Sequence, residues 1–311
     1  MSQVLAFVFP GQGSQQLGML SDLAATHPVI EETFAEASKA LGYDLWNLVQ
    51  QGPEERLNST EVTQPALLTA SVALWRLWLQ QGGAKPSVMA GHSLGEYSAL
   101  VCAGSLSLAE GVKLVQLRGE LMQKAVPAGT GAMAAILGLD DAGVAAACES
   151  IAQEQVVAPV NFNCPGQVVI AGEKAAVERA MEACKAAGAK RAIPLAVSVP
   201  SHCRLMEPIA QEMAKALAEV ELLMPAIPVV QNVTADLSGN LEQLRENLVS
   251  QLYHPVLWTD SVNRMVAEGV TMTVECGPGK VLCGLNKKID KSLEVVSLTD
   301  SANFEKALSL V

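Results

Sequence analysis

Short apolar runs alternate with longer amphipathic stretches in the first and last thirds of the chain. Val4–Phe9 is continuously apolar and stops at Pro10, and Ser87–Ala90 is a second short, mostly apolar run. Runs of this length are typical of parallel strands that are buried on both faces. Thr63–Gln81 instead has apolar residues at helical spacing. This alternation of strands and helices predicts an α/β fold with a parallel sheet.

The same patterns predict the other elements of this core. Further helices are expected over Leu17–Ala40, Glu96–Ala103, Arg204–Val220, Leu241–Leu252 and Gly279–Ile289. Further strands are expected over Ile227–Asn232, Thr271–Glu275 and Leu293–Leu298.

The middle of the chain has a different order of elements, β-α-β-β-α-β. Strands are expected over Met133–Leu139, Val156–Asn161, Val168–Ala171 and Ala189–Leu195, and helices over Asp140–Gln153 and Glu173–Ala187. That order is the ferredoxin-like signature. We therefore predict a hydrolase-like α/β core of residues 1–127 and 199–311, with a ferredoxin-like insertion at 128–198.

Composition excludes several classes of protein. Half of the residues are hydrophobic and 17% are charged, so the chain can bury a large core and is not disordered. The formal net charge of −11 is opposite in sign to that of a typical nucleic-acid binder. The run Val4–Phe9 is too short for a signal peptide or a membrane span, so we expect a cytoplasmic protein with no membrane partner.

Neither a metal nor a nucleotide cofactor is expected. The seven cysteines are scattered without a Cys-x-x-Cys pair, which is typical of buried reduced thiols. Gln16 replaces a glycine that a dinucleotide fingerprint needs, and Val274 replaces the first glycine of a Walker loop. The Gly-rich loop Gly11–Gly18 can instead supply a backbone N–H to an oxyanion.

The strongest candidate for chemistry is the pentapeptide Gly91-His-Ser-Leu-Gly95. It matches the G-x-S-x-G nucleophile elbow, in which two glycines permit a sharp turn that exposes the serine hydroxyl. A predicted strand precedes it and a predicted helix follows it, as the elbow requires. The alternative is an ordinary Gly-rich turn with a surface serine, but this context favours Ser93 as a nucleophile.

A serine nucleophile needs a general base, and the chain offers four histidines. His27 lies in a polar stretch, His254 lies in a loop, and His92 adjoins the serine too closely to reach its hydroxyl. His202 lies where the chain leaves the predicted insertion, and such junctions often line clefts between domains. We therefore predict His202 as the base.

Arg118 lies in an otherwise apolar helical stretch, Leu114–Gly119. A charge on an apolar face is costly unless it is paired. The side chain is therefore either a surface arginine or a buried fork that binds a substrate carboxylate.

Eight short segments along nearly the whole chain carry a family resemblance. They are Phe9–Gln15, Thr63–Ala66, Gly91–Tyr97, Gln116–Gly119, Asn161–Asn163, Pro200–His202, Gln251–Tyr253 and Glu275–Lys280. Through them the sequence resembles the discrete malonyl-CoA:acyl carrier protein transacylases of bacterial type II fatty acid synthesis. Together these segments are far more specific than any one motif.

The resemblance implies a ping-pong acyltransferase. A malonyl group would move from malonyl-CoA to the phosphopantetheine thiol of holo acyl carrier protein. Ser93 would be the acylated nucleophile and His202 its base. The backbone carbonyl of Gln251 would orient the histidine in place of an aspartate, so we expect Gln251→Ala to keep much of its activity.

The resemblance also assigns the rest of the site. The backbone N–H groups of Gln12 and Leu94 would form the oxyanion hole. Arg118 would bind the malonyl carboxylate. The other residues that would line the pocket are His92, Asn161 and Asn163.

Three alternatives stay open at this point. In related polyketide acyltransferase domains a bulky residue before the base histidine accompanies malonyl selection, whereas this chain has Ser201, as methylmalonyl-selecting domains do. A serine esterase or thioesterase can use the same elbow, although it does not need Arg118 as a carboxylate clamp. A non-catalytic scaffold that binds carrier protein would not need the pair of Ser93 and His202.

Two groups of basic residues are candidates for the carrier-protein contact. The C-terminal group is Lys280, Lys287, Lys288 and Lys291, and the group in the insertion is Lys185, Lys190 and Arg191. The resemblance implies an acidic carrier protein, so docking on a chain of charge −11 needs local positive charge. An ordinary solvated face is the alternative.

Overall fold

The computed structural model describes residues 3–127, 129–197 and 199–311. Its strands are β1 (Leu5–Phe9), β2 (Val88–Gly91), β3 (Gly131–Leu137), β4 (Val157–Cys164), β5 (Gln167–Glu173), β6 (Arg191–Pro194), β7 (Val229–Val230), β8 (Met272–Glu275) and β9 (Glu294–Ser297). The first helices are α1 (Ser21–Ala24), α2 (Val29–Leu41), α3 (Leu45–Gln51), α4 (Glu54–Leu57), α5 (Thr60–Gln80), α6 (Leu94–Cys102) and α7 (Leu108–Ala125). The others are α8 (Asp141–Ile151), α9 (Lys174–Ala186), α10 (Ala210–Glu219), α11 (Leu241–Ser250), α12 (Trp258–Ala267), α13 (Val281–Ile289) and α14 (Ser301–Ser309), with a 3-10 helix over Arg204–Ile209.

The larger sheet is parallel throughout and has the strand order β7-β2-β1-β8-β9. Successive side chains of a strand point to opposite faces. In β1, Leu5, Phe7 and Phe9 therefore join the core under α2, α5, α6 and α7, while Ala6 and Val8 join the core under α12 and α13. Helices on both faces explain the continuous apolar pattern of β1, and the predicted parallel α/β core is confirmed.

The smaller sheet is antiparallel, with the order β4-β5-β3-β6. Along the chain its elements follow the sequence β3-α8-β4-β5-α9-β6, which confirms the predicted ferredoxin-like arrangement. The N–H of Phe162 in β4 donates to the carbonyl of Val256, which ties this sheet to the loop before α12. The boundaries of the predicted insertion stay a prediction, since residues 128 and 198 lie outside the described ranges.

Two predicted helices differ in the structure because of proline. The stretch Leu17–Ala40 is not one helix: α1 ends at Ala24 and α2 begins after Pro28, whose missing N–H breaks a helical ladder. The stretch Arg204–Val220 begins as a 3-10 helix that contains Pro208 and becomes α-helical only at Ala210.

Helices α3, α4, α12 and α14 were not predicted at all. Two of them, α3 and α14, begin at an aspartate whose side chain accepts a backbone N–H: Asp44 from Asn47, and Asp300 from Asn303. These two helices have only seven and nine residues, too few for a helical period to be recognised in the sequence. The predicted free thiols are confirmed, because all seven cysteines are unpaired and six of them are buried. In the described ranges, no helix is both long and apolar enough to cross a membrane.

Candidate active site

Ser93 lies in a sharp turn between β2 and α6, at the carboxyl edge of the parallel sheet. Its backbone has φ 54° and ψ −111°, a conformation that L residues rarely adopt. The flanking glycines make room for this turn: a Cβ on Gly91 would lie 1.9 Å from the carbonyl carbon of Gly95, and a Cβ on Gly95 would lie 2.0 Å from the carbonyl oxygen of Phe9. The local geometry is therefore that of a nucleophile elbow.

The elbow is held from the side by Asn232, which is fully buried in the loop after β7. Its Oδ1 accepts the N–H of Ser93 at 2.7 Å, and its Nδ2 donates to the carbonyl of Gly91 at 2.6 Å. These two bonds support the strained backbone. They also engage the N–H of Ser93, so that group is not free to bind an oxyanion.

His202 meets the serine hydroxyl, as the sequence predicts. Its Nε2 lies 2.7 Å from Oγ of Ser93, and its Nδ1 donates to the backbone carbonyl of Gln251 at 2.6 Å. The ring is 3% exposed. Burial, helped by the positive charge of Arg118, lowers the pKa of His202 to about 3. The ring is therefore neutral near pH 7, and its Nε2 lone pair faces the serine hydroxyl.

Arg118 is a buried residue, not a surface one. Its side chain extends from α7 into the site and is 1% exposed. Nη1 donates to Oε1 of Gln64 at 2.8 Å, while Nη2 donates to Oε1 of Gln251 at 2.9 Å and lies 3.3 Å from Oγ of Ser93. Among the described residues, no carboxylate lies within 4 Å of this guanidinium. Its hydrogen-bond partners in the described part of the chain are neutral, and the centroid of the Tyr97 ring lies 5.5 Å from its Cζ. Such a buried cation would gain from a ligand that brings a carboxylate.

Gln251 contributes more than its backbone carbonyl. Its side chain has no exposed surface, and its Nε2 donates to Oε2 of Glu96 at 2.7 Å and to the carbonyl of Ser93 at 3.0 Å. The same amide accepts from Arg118 through Oε1. The expectation that Gln251→Ala keeps much of its activity is therefore revised, because truncation would remove a bond to Arg118.

The N–H groups of Gln12 and Leu94 are available for an oxyanion. Gln12 lies in the loop after β1, and Leu94 is the first residue of α6. Both residues line the same cavity as Ser93. Within the described ranges neither N–H donates to a protein acceptor.

His92 and Asn161 line the cavity, whereas Asn163, which was also predicted to line it, is not among the lining residues and contacts His92 instead. Nε2 of His92 donates to Oδ1 of Asn163 at 2.8 Å, and burial lowers the pKa of His92. Asn161 lines the cavity, and its buried Oδ1 has no protein partner in the described part of the chain. His92 thus bonds Asn163, and the hydroxyl of Ser93 is contacted by His202 instead.

These residues surround one cavity of about 360 Å³. It lies between the parallel sheet and the antiparallel sheet, from which Met133 and Asn161 contribute. Ser201 also lines it, next to His202. His27 and His254 are not among its lining residues.

The sequence prediction missed three buried polar residues that hold the site: Gln64, Glu96 and Asn232. Each is about 1% exposed and makes at least one hydrogen bond to Arg118, Gln251 or the elbow. Gln64 and Glu96 lie inside two of the segments that carry the resemblance, Thr63–Ala66 and Gly91–Tyr97, and that was the signal that could have found them. Asn232 lies outside all eight segments, and only its contacts reveal it.

The fold and this site are those of an acyl transferase. A family model described as the acyl transferase domain matches residues 6–300. A malonyl CoA-acyl carrier protein transacylase of Escherichia coli K12 is 63% identical over 305 residues, which cover 98% of this chain and 99% of that protein. The Bacillus subtilis protein of the same name is 45% identical over 98% of this chain and 96% of its own length.

Solved structures that resemble this chain indicate the same family. One is a type II PKS acyl-carrier protein in complex with its malonyl-transacylase, of which a chain matches with TM-score 0.97 and 60% identity over 98% of this chain and 99% of its own. An acyl carrier protein S-malonyltransferase from Vibrio cholerae has TM-score 0.95 and 60% identity, covering 97% of this chain and 99% of its own. The chain therefore belongs to the family of malonyl CoA-acyl carrier protein transacylases, which are acyltransferases.

Proposed function

We propose that this chain moves a malonyl group from malonyl-CoA to the phosphopantetheine thiol of holo acyl carrier protein, in fatty acid synthesis in the cytoplasm. The observation that carries the proposal is a triangle of groups in one cavity. Nε2 of His202 lies 2.7 Å from Oγ of Ser93, and Nη2 of Arg118 lies 3.3 Å from the same oxygen. A nucleophile, its base and a carboxylate-binding cation therefore converge.

In the first half-reaction Ser93 attacks the thioester carbonyl of malonyl-CoA. Neutral His202 takes the hydroxyl proton at Nε2 and becomes a cation, which the Gln251 carbonyl stabilises at Nδ1. The negative charge on the carbonyl oxygen is held by the N–H groups of Gln12 and Leu94. The C–S bond then breaks, and His202 returns the proton to the leaving CoA thiolate.

In the second half-reaction the phosphopantetheine thiol attacks the malonyl-serine ester. His202 now takes the thiol proton and returns it to Oγ of Ser93 as the ester bond breaks. The solved complex of an acyl-carrier protein with its malonyl-transacylase supports a carrier protein as the acceptor.

Arg118 favours a transferase for dicarboxylic acyl groups over a simple esterase. A guanidinium whose partners are neutral amides gains most from a ligand that brings a carboxylate. The acyl group of an ordinary ester substrate brings none and leaves the buried cation uncompensated. Malonyl is proposed over methylmalonyl because the similar proteins carry malonyl in their names, although Ser201 lies at the cavity wall.

The experiment separates the two half-reactions. The purified chain is loaded with labelled malonyl-CoA and separated from CoA by gel filtration. It is then mixed with holo acyl carrier protein or with the apo form, which lacks the thiol. We expect the label to move to the holo protein alone. Loss of the label to water at the same rate with either form would identify a thioesterase and contradict the proposal.

A further inference from the structure

Glu96 is a fully enclosed carboxylate beside the proposed acyl pocket. It lies in the first turn of α6, three residues after Ser93, and is 1% exposed. Its oxygens accept from Nε2 of Gln251 at 2.7 Å, Nε2 of Gln231 at 3.0 Å and the N–H of Asn232 at 3.1 Å. Three N–H donors stabilise the ionised form of a carboxylate and oppose the cost of burying it.

Two effects compete at this carboxylate. Burial raises the pKa of Glu96 to about 7, while the three hydrogen bonds and the positive charge of Arg118 act in the opposite direction. In turn, burial lowers the pKa of Arg118, and Tyr97 and Glu96 oppose that shift. Glu96 is therefore the nearby carboxylate that stabilises the Arg118 cation, although the two side chains do not touch.

The amide of Gln251 lies between the two charges. Its Oε1 accepts from Nη2 of Arg118 at 2.9 Å, and its Nε2 donates to Oε2 of Glu96 at 2.7 Å. A guanidinium only donates and an ionised carboxylate only accepts. Rotating the amide by 180° would place two donors together at Arg118 and two acceptors together at Glu96. Glu96 and Arg118 therefore set the orientation of the Gln251 amide together.

The separation between the charges has a chemical consequence. A carboxylate in direct contact with Arg118 would compete with a substrate carboxylate for the same N–H groups. A carboxylate that acts through a neutral amide orients the guanidinium and stabilises its charge, but leaves the face near Ser93 free for a ligand.

Resting on the function proposed above, we propose that Glu96 is a positioning residue for the substrate carboxylate. It fixes the Gln251 amide, and through that amide it holds the Arg118 guanidinium toward the acyl pocket. The alternative is a purely structural role, in which Glu96 only ties α6 to the loop of Gln231 and Asn232.

Two variants separate these roles. Glu96→Met keeps the length of the side chain but removes every acceptor. Glu96→Gln keeps one acceptor oxygen, and the fixed N–H of Asn232 draws that oxygen to the Oε2 position, where it also accepts from Gln251. Positioning of Arg118 therefore fails in the first variant and is partly rescued in the second.

The measurement is kcat/KM for loading of Ser93 by malonyl-CoA and by acetyl-CoA. We expect Glu96→Met to lower the malonyl value by on the order of 100-fold and Glu96→Gln by less than about 10-fold, with acetyl changed by less than about threefold in both. Glu275→Gln is the matched control, because Glu275 is a second buried carboxylate and accepts from the N–H of Cys283. It should leave the ratio of malonyl to acetyl unchanged.

A double-mutant cycle completes the test. If Glu96 acts through Arg118, then Glu96→Met added to Arg118→Ala changes malonyl loading by less than about twofold. An equal loss for malonyl and acetyl in Glu96→Met, or additive losses in the cycle, would overturn the positioning role. Absence of any malonyl-enzyme in the unaltered chain would instead overturn the proposed function, so the two failures are distinguishable.

Discussion

Arg118 is the residue that we propose selects an anionic acyl group. Malonyl and acetyl thioesters differ by one carboxylate, and shape alone separates such similar groups only weakly. With acetyl bound, the buried guanidinium keeps its neutral hydrogen-bond partners, which include Gln64 and Gln251, but contacts no carboxylate. We therefore expect selection to come both from attraction to malonyl and from the cost of a buried cation that has no carboxylate in contact when acetyl is bound.

Arg118→Ala should lower malonyl transfer by orders of magnitude while acetyl transfer holds or rises. Arg118→Lys should restore malonyl transfer only in part, because an ammonium cannot replace the planar fork that bonds Gln64 and Gln251 together. The measurement is kcat/KM for both thioesters. An equal loss for both in Arg118→Ala would make Arg118 a structural residue.

His202 should stay an active base well below neutral pH. An imidazole of ordinary pKa 6.5 is about 90% protonated at pH 5.5, whereas burial and Arg118 lower the pKa of His202 to about 3. We expect acylation of Ser93 by p-nitrophenyl acetate, a neutral ester that does not use Arg118, to change by less than about twofold from pH 8 to pH 5. A tenfold fall per pH unit below 6.5 would show that the ring has its ordinary pKa.

At the scale of elements, the junction of β2 and α6 determines where the hydroxyl lies. Gly91 and Gly95, which flank Ser93, must be glycine because other backbone atoms approach them closely. The positive φ of the turn belongs to Ser93 itself. The sequence motif predicts this turn because its requirements lie within five residues. It does not reveal Asn232, which stands 139 residues further along the chain and supports the turn only after folding.

Gly95→Ala should destabilise the elbow. The added Cβ would lie 2.0 Å from the carbonyl oxygen of Phe9, a backbone atom that cannot move without disturbing β1. We expect a lower melting temperature and loss of Ser93 acylation. The matched control is Gly284→Ala in α13, where no atom lies within 4 Å of the new Cβ, so stability should hold or rise. Equal behaviour of the two variants would contradict this account.

The sequence predicted the parallel core and the ferredoxin-like order because their strands are apolar and their turns are marked by glycine and proline. A local motif identified Ser93 as the nucleophile, and the position of His202 at a chain junction identified it as the base. In the structure Nε2 of His202 lies 2.7 Å from Oγ of Ser93. The sequence prediction missed the network of Gln64, Glu96 and Asn232, because a buried polar residue looks the same in a sequence whether it holds a site or only fills a core.

At the scale of the whole molecule, the fold brings Lys288 of the C-terminal basic group close to Lys190 and Arg191 of the insertion. Nζ of Lys288 lies 3.4 Å from Oε1 of Gln167 in β5. Gln167 is the register partner of Leu137 in the neighbouring strand β3, and Leu137 pairs on its other side with Arg191 in β6. Adjacent strands are about 4.8 Å apart, so Gln167 and Arg191 are separated by roughly 10 Å. Lys190 packs beside Gly138 at the same end of the sheet.

The patch formed by Lys288, Lys190 and Arg191 is our predicted contact for the acidic carrier protein. Lys288→Glu should raise the KM for holo carrier protein several-fold, more strongly at low salt, and leave malonyl loading unchanged. Lys39→Glu, an exposed charge reversal on α2, is the control and should change neither step. Equal effects of Lys288→Glu on both half-reactions would mean that the patch does not dock the carrier.

Ser93 is the residue that we propose carries the malonyl group. Intact-protein mass spectrometry after brief exposure to malonyl-CoA decides this, with the unaltered chain and Ser93→Ala side by side. We expect a mass increase of one malonyl group on the unaltered chain and none on Ser93→Ala. A malonyl adduct on Ser93→Ala, or no adduct on an unaltered chain that still transfers malonyl to the carrier, would contradict the account.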